Sequence, residues 1–78
     1  MIVTLYGRAG CSLCEKARRV LEHLRGEADF QVVEVDIARD PDLLARYGEH
    51  IPVVLVDGVE VARGVVALPA LRRALRGP

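Results

Sequence analysis

Cys11 and Cys14 are the only cysteines in the chain, and Ser12 and Leu13 alone separate them. Two sulfurs at that spacing can close a small disulfide ring or hold a soft metal ion between them. The pair falls where a short apolar segment gives way to a helical pattern. A helix N-terminus gathers unpaired N–H groups and partial positive charge, and that environment favours a thiolate over a thiol. Cys11 comes first, at the expected cap, and reads as the attacking thiolate. Arg8, three residues earlier, adds positive potential. Cys14 lies a turn inside the helix, more buried, and keeps its proton longer. The chemistry this implies is disulfide exchange: Cys11 forms a mixed disulfide, and Cys14 then attacks Cys11 and releases the reduced product. A Cys11–Cys14 bond would be a poor staple, because disulfides stabilise mainly by closing long loops.

Pro52 is the second residue of chemical interest. It stands just before the apolar run Val53-Val54-Leu55-Val56, where a proline withholds a ladder donor. A cis Ile51–Pro52 bond accounts for it; an ordinary trans proline at a strand start is the alternative. His50, next to this segment, is either an exposed loop residue or a group that tunes a thiolate or supplies a third metal ligand. His23 reads as surface. Asp36 reads as a cap after the second strand, with a proton-relay role as the alternative.

The elements that must position these residues follow from pattern. Ile2 to Tyr6 is a buried strand, broken by Gly7-Arg8-Ala9-Gly10. From Cys11, Leu13, Ala17, Val20, Leu21 and Leu24 form one apolar helical stripe, stopped near Gly26. Phe30 to Asp36 is a second strand. Asp40 caps a short helix with Pro41 at its first position and Leu43, Leu44 and Tyr47 on its buried face. Val53 to Val56 is a central strand, Asp57-Gly58 a tight hairpin turn, and Val59 to Ala62 the returning strand. Pro69 opens a last helix carrying Leu71, Ala74 and Leu75. The order β-α-β-α-β-β-α begins with a right-handed parallel crossover and ends with an antiparallel edge.

Composition narrows the function classes. The 78 residues are 51% hydrophobic with eleven Lys and Arg against eleven Asp and Glu, which suits one small domain spanning residues 1–78. A net charge of zero gives no reason to expect a nucleic-acid partner. The Arg72, Arg73 and Arg76 cluster is read as a solvated helix end that suits the helix dipole, with a phosphate or membrane contact as the alternative. No segment reads as a membrane span or a secretory signal, so a cytoplasmic monomer is expected. In a reducing cytosol a CxxC pair indicates redox or metal chemistry rather than a structural bridge.

Taken together, Tyr6-Gly7-Arg8-Ala9-Gly10-Cys11-Ser12-Leu13-Cys14, Ile51-Pro52-Val53 and Asp57-Gly58 resemble a bacterial glutaredoxin-like protein of the thioredoxin fold. The resemblance covers essentially the whole chain. It implies a four-stranded mixed sheet flanked by helices. It implies a thiol–disulfide oxidoreductase in which Cys11 is the nucleophile and Cys14 the resolving thiol. It makes Pro52 the cis-proline packed beside the disulfide and gives Ile51 backbone hydrogen bonds to a bound thiol or peptide. Arg8, Leu13, Arg63 and Gly64 join them as substrate-binding residues. No cofactor or bound metal is implied, though glutathione is a candidate co-substrate.

The chain departs from the common pattern at Ser12 and Leu13, which replace Pro and Tyr, and at Ala62-Arg63-Gly64-Val65, where an acidic glutathione cap would stand. The expected partners are therefore a disulfide-containing protein or a small thiol, with glutathione or a reductase as electron donor. Two other readings stay open. One is a Cu(I) or Zn carrier, although such carriers usually show Met-x-Cys-x-x-Cys in a βαββαβ order. The other is a non-catalytic adaptor with the same fold.

Overall fold

The structure is a computed structural model that describes residues 1–76; the last two residues of the expected 1–78 domain lie outside the described residues. Strand β1 runs Ile2–Gly7, helix α1 Ser12–Leu24 and strand β2 Gln31–Asp36. Helix α2 follows over Pro41–Tyr47, then strands β3 (Val53–Val56) and β4 (Val59–Arg63), and helix α3 over Leu68–Arg76. This is the β-α-β-α-β-β-α order read from the sequence.

The sheet order is β2-β1-β3-β4. β1 and β2 are parallel, with Val3 opposite Val32 and Gly7 opposite Asp36. β3 returns antiparallel on the other side of β1, pairing Val53 with Tyr6 and Val56 with Val3. β4 is antiparallel to β3, with a register irregularity between Val54 and Leu55. That extra residue carries β4 to Arg63, one residue beyond the expected end. The β3–β4 turn puts both Asp57 (φ 48°) and Gly58 (φ 84°) in the left-handed region, the conformation a two-residue hairpin demands. Asp57 also locks the turn to β1: its carboxylate accepts from the Ile2 N–H at 2.8 Å, and its own N–H donates to the Ile2 carbonyl at 2.8 Å.

Side chains alternate across each strand, so Val3, Leu5 and Val54 share one face. There they form the main core with Ala17, Leu21 and Leu24 of α1, Leu71 and Leu75 of α3, and Phe30 and Val66. The opposite face holds Val53, which is fully buried. A 3₁₀ turn at Ile37–Arg39 follows β2, where Asp36 was expected to cap a turn, and buries Ile37 completely. Asp40 caps α2 as expected, accepting from the N–H groups of Asp42 and Leu43 at 3.0 and 3.2 Å.

The buried face expected for α2 is corrected. None of its residues is fully buried, and Leu44 is 38% exposed. Seven residues give barely two turns, and Ile37 of the preceding 3₁₀ turn takes the fully buried position instead.

Arg72 of α3 grips Glu27, just past the end of α1, through two bonds of 2.8 Å. This bond to the Arg72 guanidinium holds the Glu27 carboxyl below the usual carboxylate range, with His23 and Arg76 adding to the effect. A lowered folded pKa gives stability that is present above the unfolded value of about 4.3 and lost as pH falls through the folded value. Glu27→Gln should therefore lower the melting temperature slightly at pH 7, and the difference from wild type should shrink progressively as pH falls below about 4.3. A difference that grows on acidification would contradict this assignment.

Candidate active site

Cys11 is the N-cap of α1, with extended backbone (φ −94°, ψ 110°). An N-cap side chain faces the first unpaired helical amides. Here the cap atom is sulfur: Cys11 Sγ accepts from the Cys14 N–H at 3.2 Å. The Cys11 carbonyl begins the helical ladder by accepting from the Glu15 N–H at 3.2 Å. The two cysteines are joined in a disulfide with their Cα atoms 5.2 Å apart. Cys11 is half-buried, whereas Cys14 is only 4% exposed. The asymmetry expected from their order in the chain is therefore present.

Gly7 makes the burial of Cys14 feasible. A Cβ on Gly7 would lie 3.1 Å from Cys14 Sγ and 3.3 Å from Cys14 Cβ, tighter than ordinary packing. Read from the sequence, Gly7 only broke a strand; its role as a seat for the second sulfur needs the fold. Gly7→Val should cost about 1–3 kcal/mol through overpacking, measured by urea unfolding of the oxidised protein. An unchanged midpoint would show that the sulfur has room. A cleft of about 400 Å³ opens beside Gly7 and Cys14, its lining including Leu5, Arg8, Glu34 and Asp36.

The Ile51–Pro52 bond is cis. Tyr6 pairs with Val53, and Val53 with Arg63. The loop leaving Gly7 for Cys11 and the segment entering β3 through Pro52 thus emerge at one end of the sheet. Gly64 ties that end together. At φ 73° its N–H donates to the carbonyls of Pro52 at 2.8 Å and His50 at 3.1 Å. Left-handed backbone of this kind favours glycine.

The predicted residues Arg8, Cys11, Leu13, Cys14, Ile51, Pro52, Arg63 and Gly64 therefore gather at a single pole. Leu13 is 38% exposed beside the disulfide. Arg8 is exposed and forms no ion pair among the described residues. Arg63 is engaged: its guanidinium makes two bonds of 2.7 Å to Glu60.

Sequence reading did not anticipate an aromatic pair at this pole. The Tyr6 and Tyr47 rings lie 5.0 Å apart between centroids, and the Arg46 guanidinium sits 5.2 Å from the Tyr47 centroid. Both geometries are favourable for π systems. The signal available was Tyr6 adjoining the Gly7 break and Tyr47 closing α2, but nothing local links them.

His50 is exposed, and the described residues contain no group of three or more His, Cys, Asp or Glu placed to hold a metal. His23 is exposed and lies 3.4 Å from Glu27. Asp36 is the expected cap, its carboxylate accepting from the Ala38 N–H at 3.0 Å; it is exposed rather than buried.

The family model described as Glutaredoxin-like domain (DUF836) matches residues 2–76. The chain belongs to the glutaredoxin-like family. A glutaredoxin of Haemophilus influenzae is 37% identical over 65 residues, covering 73% of this chain and 75% of that protein. An uncharacterized protein of Mycobacterium tuberculosis is 40% identical over 63 residues, covering 74% of this chain. The matched stretch spans 65% of the mycobacterial protein's length.

Among solved structures, a structural-genomics target from X. campestris superposes with a TM-score of 0.77 at 32% identity, covering 97% of each chain. Reduced Escherichia coli glutaredoxin superposes with a TM-score of 0.56 at 27% identity, covering 81% of this chain and 84% of the other. The glutaredoxin-like chain thus has the fold and the cysteine spacing that its sequence resemblance implied. No helix among its described residues is long and apolar enough to cross a membrane.

Proposed function

We propose that this glutaredoxin-like chain is a thiol–disulfide oxidoreductase that reduces protein disulfides or mixed disulfides through a Cys11/Cys14 cycle. The observation that carries this reading is the half-buried Cys11 sulfur at the α1 cap, accepting an amide N–H, with the buried Cys14 bonded behind it. In the reduced protein that cap stabilises an anionic sulfur.

The Cys11 thiolate attacks one sulfur of a substrate disulfide. A Cys11–substrate disulfide forms, and the other substrate sulfur leaves as a thiolate that takes a proton from solvent. Cys14 then loses its proton and attacks Cys11 Sγ. The mixed disulfide breaks, the second substrate thiolate leaves, and the Cys11–Cys14 disulfide forms. Two electrons pass from the dithiol to the substrate. A reductase or two glutathione molecules return them.

Arg8, Leu13, Ile51, Pro52, Arg63 and Gly64 are the residues assigned to contact substrate. In this reading the protein works as a cytoplasmic monomer, without a resident cofactor or metal, on protein or small-thiol partners. The β-α-β-α-β-β-α order supports disulfide exchange over the carrier alternative, whose usual order is βαββαβ.

The test mixes the reduced protein with one equivalent of insulin and counts thiols on both proteins. The reading predicts one insulin disulfide opened for each Cys11–Cys14 disulfide formed. It further predicts sustained turnover when either glutathione with its reductase or thioredoxin reductase is supplied. Unchanged insulin under all three conditions would refute it.

A further inference from the structure

A net charge of zero conceals a segregation between layers. α1 with its cap residue Arg25, taken together with α3, carries seven Lys and Arg against two carboxylates, a net of +5. The remaining segments carry four against nine, a net of −5. Both helices lie on one face of the sheet, since Ala17, Leu21, Leu24, Leu71 and Leu75 share a core with Val3, Leu5 and Val54. With Glu34 and Glu27, which bond Arg18 and Arg72, counted on that side, seven cations still face four carboxylates there, a net of +3.

Ion pairs absorb only part of it. Arg18 bonds Glu15 and Glu34, and Arg72 bonds Glu27. Lys16, Arg19, Arg25, Arg73 and Arg76 are exposed and form no ion pair among the described residues. Cations in the last turn of α3 suit the helix dipole. That account does not reach Lys16 and Arg19, which stand in the first two-thirds of α1. At 1.5 Å of rise per residue they lie about 8 Å and about 12 Å along the helix from Cys11. A macromolecule that lays its disulfide on Cys11 and extends along α1 must cover both.

We propose that the outward face of α1, led by Lys16 and Arg19 and extended by Arg73 and Arg76, docks an acidic protein partner for disulfide exchange. This rests on the redox reading above and specifies the charge of the macromolecule served. The partner carries carboxylates about 8–12 Å from its reactive sulfur, at the spacing of those cations. A protein is favoured over a bilayer because the large apolar side chains of both helices turn inward, with Leu13 alone exposed. Complementary charge of this kind raises association rates by about 10- to 10³-fold at low salt and is screened by salt.

The test has a binding arm and a kinetic arm. In the first, a cysteine-free Glu-rich 12-residue peptide and its Lys-rich counterpart are titrated into the oxidised protein and followed by amide chemical shifts at 20 mM salt. The proposal predicts shifts on α1 and α3 with the acidic peptide only, lost at 300 mM salt and in K16E/R19E. In the second, reduced protein reacts with versions of the two peptides that each carry one added cysteine, held as a mixed disulfide with 2-mercaptoethanol. The acidic substrate should react about tenfold faster at 20 mM salt, and the preference should shrink in K16Q/R19Q and reverse in K16E/R19E. Circular dichroism checks that each variant is folded.

Acidic-peptide binding without exchange by either substrate would uphold the surface and refute the redox reading. Exchange at equal rates with no selective binding would uphold the redox reading and overturn the surface. Tight binding to anionic phosphatidylserine vesicles without acidic-peptide binding would overturn it in favour of a membrane. Salt-sensitive self-association in sedimentation that blocks the acidic peptide would overturn it in favour of a second copy.

Discussion

Cys11→Ser is expected to lose disulfide exchange almost completely, by at least about 10³-fold, while keeping its fold. The hydroxyl that replaces the thiol stays protonated near neutral pH and is a far weaker nucleophile. A loss of that size corresponds to about 4 kcal/mol of transition-state stabilisation. The cap itself survives, because Ser is among the preferred N-cap residues and its oxygen can accept the N–H that Cys11 Sγ now accepts. Far-ultraviolet circular dichroism should therefore overlay wild type. The measurement is the second-order rate with an insulin or small aromatic disulfide. A variant keeping more than a tenth of the wild-type rate would remove Cys11 from the role of nucleophile.

Cys14→Ser should behave differently, and the difference separates the two roles. Cys11 in this variant still attacks, but no second sulfur lies beside it to resolve the intermediate. A neighbouring group held in place is worth an effective concentration of about 10⁵–10⁸ M, which no external thiol supplies. Turnover on protein disulfides should fall by about 10²-fold or more. A stoichiometric Cys11–substrate mixed disulfide should accumulate, visible by mass spectrometry and cleared by added dithiothreitol. Serine is close enough in size to occupy the pocket against Gly7, where Cys14 Sγ now sits. Full turnover without a trapped species would mean that Cys14 is not the resolving thiol.

Much of this site is legible in the sequence because its markers are local. The Cys11–Cys14 spacing, the strand-to-helix switch that makes Cys11 a cap, and Asp57-Gly58 with two left-handed residues each announce themselves within a few positions. The apolar stripe of α1 and the unbroken apolar run of β3 are equally plain, since pattern and burial coincide there except at exposed Leu13. What could not be read depends on elements far apart in the chain. Gly7 shows its purpose only once α1 folds back to bring Cys14 against it. Tyr6 and Tyr47 meet across forty residues.

Arg63 was readable as a cation at the disulfide's end of the sheet, but its grip on Glu60 follows from the irregular β3–β4 register, which has no sequence signature. Leu44 was misjudged because α2 is too short for its apolar pattern to decide its burial. Ile37, in a 3₁₀ turn without a helical period, takes the fully buried place instead.

The most direct test is the pH dependence of alkylation at Cys11 in the reduced protein, read by iodoacetamide labelling and peptide mass spectrometry. A sulfur stabilised by the α1 amides should react with a midpoint clearly below about 8.5, the value of a free thiol, and should label well before Cys14 at every pH. A midpoint at or above about 8.5, or Cys14 labelling first, would contradict the account.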